Sequence, residues 1–191
     1  STSGDNYAES FSLDVMPFEI PKTTIEVPDF SSNINGFFAF SGIPLIDGGS
    51  LDPLRELIMN YPELRKIGDD VFAVGAWSSN EITEGGDPPP VRTAIRWVIL
   101  TYNTVTGPNE WSLYQSGKVE DPELVKSFWM PSINIDSLGE VSLIFSGSSS
   151  HDPASLYFTR KRLSEPEFPE PIVLTPGTTG AQYGRWGDYF S

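Results

Sequence analysis

Residues 64–77 read LRKIGDDVFAVGAW, and residues 132–145 read SINIDSLGEVSLIF. Each stretch is a pair of apolar-rich runs split by a few turn-forming residues. In the first, Gly68-Asp69-Asp70 separates a run at 64–67 from one at 71–77. In the second, Asp136-Ser137-Leu138-Gly139 separates 132–135 from 141–145. Glycine accepts the positive φ that tight hairpins require, and Asp and Ser hydrogen-bond to nearby backbone in turns. Both stretches therefore predict β-hairpins.

Working outward, residues 93–102 (TAIRWVILTY) alternate so that Ile95, Trp97 and Ile99 share one face of a third strand. Thr106-Gly107-Pro108-Asn109 then turns the chain into a fourth strand at 111–115. The second hairpin is followed by a serine-rich loop at 146–153, a third strand at 154–159 and a fourth at 171–174. Setting Gly68-Asp69-Asp70-Val71 beside Leu138-Gly139-Glu140-Val141 gives an internal period of about 70 residues. Sheets of four antiparallel strands repeated along a chain are the blades of a β-propeller. The expected fold is therefore all-β, with complete blades at about 63–119 and 129–175. The strand count alone would also suit a β-sandwich.

Other segments qualify this picture. Pro17, Pro21 and Pro28 make residues 1–35 an extended lead-in, before a propeller region at 36–191. Phe37-Phe38-Ala39-Phe40 reads as a buried strand. One short helix is expected near 52–61. Asp52 caps it, Pro53 suits its first position, Leu54, Leu57, Ile58 and Tyr61 form an apolar stripe, and Pro62 stops it. The polar, proline-rich segment 78–90 is expected as a loop. Asp121-Pro122 opens a single helical turn ahead of Phe128-Trp129-Met130-Pro131.

Composition removes several function classes. The net charge of −14, from 26 acidic and 12 basic residues, repels phosphate backbones and argues against nucleic-acid partners. The Arg160-Lys161-Arg162 run reads as a solvated strand end. With no cysteine and one histidine, thiolate zinc sites, disulfides and a cysteine nucleophile are excluded. No apolar run is long enough to span a membrane. The small polar start at Ser1-Thr2-Ser3-Gly4-Asp5-Asn6 reads like an end left by signal-peptide removal or by trimming of the chain, and the first of these points to a secreted, periplasmic or cell-surface protein.

Residues spread along the chain carry a resemblance. They are Thr93-Ala94-Ile95-Arg96-Trp97 followed by Trp111 through Gly117, then Trp129-Met130-Pro131-Ser132-Ile133-Asn134-Ile135-Asp136 with Gly139. Phe145-Ser146, Ser148-Ser149-Ser150 and Tyr157-Phe158-Thr159-Arg160-Lys161-Arg162 follow, and Gly184-Arg185-Trp186-Gly187-Asp188-Tyr189 closes the set. In this order they resemble bacterial exported, sialidase-like β-propeller proteins, most of them without an assigned function. The Arg-Trp-Gly-Asp-Tyr element is the most specific, and the resemblance covers roughly residues 35–191. It implies that residues 183–191 begin a further blade. It also implies a ring completed by further blades or by protein partners.

The resemblance directs attention to arginines that grip carboxylates in sialidases, here Arg92, Arg96, Arg160 and Arg185, with Tyr189 and Asp188 nearby in sequence. Their spacing does not assemble a sialidase constellation. Arg185 and Asp188 read either as bonds between blade loops or as ligand contacts at a channel mouth. Trp129 and Trp186, nearer to loops than Trp77, Trp97 or Trp111, are the candidate platforms for carbohydrate. The candidate ligand-binding set is thus Arg96, Trp129, Arg185, Trp186 and Asp188. Glu81, Glu84 and Asp87 on the expected loop are candidate calcium ligands, and no other cofactor is indicated. His151 lies beside serines and Asp152, but no nucleophile elbow accompanies it. The expectation is an exported, non-enzymatic binding or assembly module. The alternatives are a sialidase-like glycoside hydrolase completed by further blades and a structural subunit of a cell-surface assembly.

Overall fold

The computed structural model describes residues 24–29, 43–51, 58, 61–82, 91–105 and 110–178. Ten strands make up the described residues' regular structure. A small hairpin comes first, β1 (Ile43–Pro44) with β2 (Ser50–Leu51). β3 (Glu63–Ile67), β4 (Asp70–Ile82), β5 (Val91–Asn103) and β6 (Ser112–Val119) form one antiparallel sheet in chain order. β7 (Ser127–Ile135), β8 (Glu140–Ser148), β9 (Ser155–Arg162) and β10 (Ile172–Thr175) form a second. The two expected strand quartets are present as two propeller-like blades, and they do not merge into a closed barrel.

The hairpin glycines act as expected. Gly68 and Gly139 hold φ of +63° and +77°, values that residues with a Cβ seldom adopt. Asp136 braces the second turn, its Oδ1 accepting from Leu138 N and Glu140 N, both at 2.8 Å.

Register then decides the core. The β4–β5 pairing sets Phe72, Val74 and Ala76 on the same face as Ile95, Trp97 and Ile99. The β7–β8–β9 pairing does the same for Phe128, Ile133, Ile135, Val141, Leu143, Phe145 and Tyr157. These two faces pack on each other as one buried cluster. β7 lies against β4 and β5, and Arg65 Nε from β3 donates to the carbonyl of Ile135 at 3.2 Å. Phe128, Phe145 and Tyr157 pack ring on ring, and Gly147 makes room: a Cβ there would stand 2.7 Å from both Phe128 and Tyr157.

The far face of the second blade has its own cluster. Trp129 and Met130 pack with Ile43, Leu45 and Leu51 of the β1–β2 hairpin and with Ala154. A bulge between Trp129 and Ser132 permits this, with Met130 at a φ of +50° and its N–H donating to Ser78 Oγ.

Several expectations need correction. β4 runs on through Ser78, Ser79 and Asn80 to Ile82, so the loop expected at 78–90 does not begin at Ser78, and 83–90 lies outside the described residues. Those three polar residues are buried, and cross-strand pairing with 93–95 carries the strand on. Asp121 and Pro122 form a turn and no helix. Asp121 is buried, and its carboxylate accepts from Val125 N and Lys126 N. Of the helix expected near 52–61, all but Ile58 and Tyr61 lies outside the described residues, as does the strand expected at 37–40. Within the lead-in only 24–29 is described, without regular structure. Among the described residues no helix is long and apolar enough to cross a membrane.

Candidate functional site

A concave surface lies where the two blades meet. β6 forms one wall of it. The other is the 163–171 connection between β9 and β10, whose sequence alternates prolines with glutamates. Between them lies a cleft of about 590 Å3, with Gln115, Ser116, Gly117 and Lys118 on one side and Pro166 and Glu167 on the other. A second hollow of about 300 Å3 continues it past Val119 and Glu120 to Pro122, Phe168, Pro169 and Pro171.

A tightly bonded knot fixes the loop wall. Lys161, on the inward face of β9, is only 2% exposed, and the solvated strand end expected for Arg160-Lys161-Arg162 is wrong at its centre. Residues alternate along a strand, so Arg160 and Arg162 face out while Lys161 faces the core. Its Nζ donates to Gln115 Oε1 and to the carbonyl of Glu165, and it stands 4.4 Å from the centre of the Trp97 ring. Phe168 packs edge-on against Trp97 at 5.3 Å. Burial lowers the Lys161 pKa to about 8, against a smaller raising influence from Glu165. Gln115 Nε2 donates to the carbonyl of Leu163, Thr159 Oγ1 donates to that of Pro169, and Arg162 N donates to Glu165 Oε2. The loop is thereby tied to both blades.

The opposite face of β6 carries a charge ladder. Glu81 Oε1 accepts from Arg96 Nε and Nη2 at 3.0 and 2.8 Å, and Lys118 sits 3.7 Å from Glu81 and 2.8 Å from Glu120. Two cations and two carboxylates thus neutralise one another across three strands. Trp97 lies beneath Gly117, where a Cβ would come within 2.6 Å of the indole. Its Nε1 is buried and has no hydrogen-bond partner.

The candidate residues of the sequence fall in different places. Arg96 lines the cleft, although Glu81 occupies its guanidinium. Trp129 is fully buried in β7, and no face of its ring is open to a sugar. Its sequence position suggests nearness to a loop, but it lies within strand β7, just before the bulge. Arg185, Trp186 and Asp188 lie outside the described residues. Glu84 and Asp87 do too, whereas Glu81 is in strand β4 and already ion-paired. Among the described residues no three metal-ligating side chains converge. His151 Nδ1 lies 3.0 Å from Ser150 Oγ, but Asp152 Oδ2 accepts from Ser149 Oγ and leaves the imidazole alone. Lys126 completes that loop at 3.4 Å from Asp152. Burial opposes its charge, but Asp152 and Asp121 outweigh this and raise its pKa.

Sequence reasoning missed Gln115, Lys161, Glu167 and Phe168. They come from β6, β9 and a loop, and no local motif joins them. Comparison with protein-family models, with curated proteins and with solved structures finds no match to this chain.

Proposed function

We propose that the protein is an exported, non-enzymatic binding or assembly module of the propeller type, working through the rim cleft between β6 and the 163–171 loop. The observation that carries this reading is the pairing or burial of the cations around that cleft. Arg96, Lys118, Glu81 and Glu120 are bound to one another, and Lys161 is sealed beneath Trp97 and Phe168. Catalytic acids, bases and nucleophiles need access to a reacting atom and freedom to change protonation. Groups tied in this way instead shape a rigid surface, and rigidity before binding favours affinity. The resemblance to exported sialidase-like proteins supports export. Further blades or protein partners would complete a ring around the two blades, as the sialidase-like resemblance implies.

Incubation of the intact protein with a panel of fluorogenic glycosides tests this reading. The expected result is no turnover above buffer. Turnover that Arg185→Ala or Asp188→Ala abolishes would establish a glycoside hydrolase instead.

A further inference from the structure

We infer that the rim groove takes an extended, basic peptide segment of a partner protein, laid alongside β6. This rests on the binding-module reading and names its partner.

Among the described residues, β6 has a strand neighbour on one side only, β5. An edge strand offers unpaired backbone N–H and C=O groups, and strand addition is a common way to recognise extended peptides. At roughly 3.3 Å per residue, β6 offers a track of about 25 Å. The 163–171 loop stands opposite without closing on it. It meets β6 through Tyr114 and Gln115 side chains at Leu163, then diverges to leave the two hollows.

Charge selects the occupant. Arg96 and Lys118 are neutralised by Glu81 and Glu120, while Glu167 and Glu170 on the loop wall have no cation partner among the described residues. The groove therefore holds two uncompensated carboxylates above an apolar floor of Val119, Phe168 and Pro169. A side chain with an aliphatic stem and a cationic head satisfies both. Gly117 leaves the wall low at this point, since it has no Cβ over the buried Trp97 ring beneath it, and Val27 and Pro28 border the same stretch of β6. A second copy of this chain is a poor occupant, since each copy carries a net charge of −14.

The test titrates the intact 15N-labelled protein with a capped hexapeptide of alternating valine and lysine. A valine–glutamate hexapeptide and a neutral glucose hexasaccharide serve as comparison ligands. The expected result is saturable shifts of the amides at 112–119 and of the Trp97 indole with the lysine peptide alone. The double variant Glu167→Gln, Glu170→Gln should weaken that binding about fivefold, with its unbound spectrum reporting that the fold is intact. Absence of saturable shifts, shifts confined elsewhere, equal binding of the glutamate peptide or an unaffected double variant would each overturn the inference. Saturation by the saccharide in place of the peptide would overturn it while leaving a binding module. Glycoside turnover would remove the binding-module reading itself.

Discussion

The first strands of the two blades, β3 and β7, occupy equivalent positions and have opposite characters. β3 is Glu-Leu-Arg-Lys-Ile, exposed at every residue but its last. β7 is Ser-Phe-Trp-Met-Pro-Ser-Ile-Asn-Ile, buried along almost its whole length. Phe128, Ile133 and Ile135 face the first blade, while Trp129 and Met130 face the β1–β2 hairpin. A strand covered on both faces can be apolar throughout, whereas one left largely exposed is kept from aggregating by charge. The same sheet topology thus hosts two very different sequences, because coverage and not position in the blade sets composition.

The sharpest way to break this comparison is to truncate a large side chain in each strand. Trp129→Ala should cost ~3–5 kcal/mol, as for a fully buried aromatic, whereas Leu64→Ala in β3 should change stability by less than ~0.5 kcal/mol. Urea denaturation of both variants checks this, and similar losses would mean that β3 is covered after all.

Titration gives the next effect. Lys161 has a pKa of about 8 in the folded protein against 10.5 as its ordinary value. Between those values the unfolded chain holds a proton that the folded chain has released. Stability should therefore rise as pH climbs from about 8 to 10.5, by up to ~3 kcal/mol. Burial raises the Tyr157 pKa, and this opposes the gain at the upper end of the range. Lys161→Met should remove the rise and leave the Tyr157 contribution, which denaturation midpoints across that range would report.

Glycines refine the contrast between the blades. Gly147→Ala must force Phe128 and Tyr157 apart and should cost ~1–3 kcal/mol, while at Gly75 the nearest atom to an added Cβ is 3.8 Å away. Gly75→Ala should be neutral or slightly stabilising, as thermal melts of the two variants would report. The smallest effect belongs to the charge ladder. Glu81→Gln leaves Arg96 and Lys118 facing each other and should cost about 1 kcal/mol, less in high salt.

The blades were legible in the sequence because they are built from short-range signals. Alternation at 93–102 and the turn glycines Gly68 and Gly139 each specify their own hairpin. What escaped depends on partners distant in sequence. Ser78, Ser79 and Asn80 look like loop residues until Met130 is seen donating to Ser78 across 52 positions. Lys161 looks solvated between two arginines until register turns it inward onto Trp97. Trp129 looks like a platform near a loop until the β1–β2 hairpin, far earlier in the chain, is seen covering it. Of the candidate site only Arg96 was anticipated, since the cleft is assembled from segments some 50 residues apart whose proximity is a property of the interblade packing.

That interblade packing is most directly tested by cross-strand contacts between backbone Hα protons in an NMR spectrum of the whole chain. The account predicts that β6 shows such contacts with β5 alone and β7 with β8 alone, while the Trp97 and Phe128 side chains reach the same buried cluster. Backbone contacts running from β6 to β7 would join the eight strands into a single continuous sheet and contradict it.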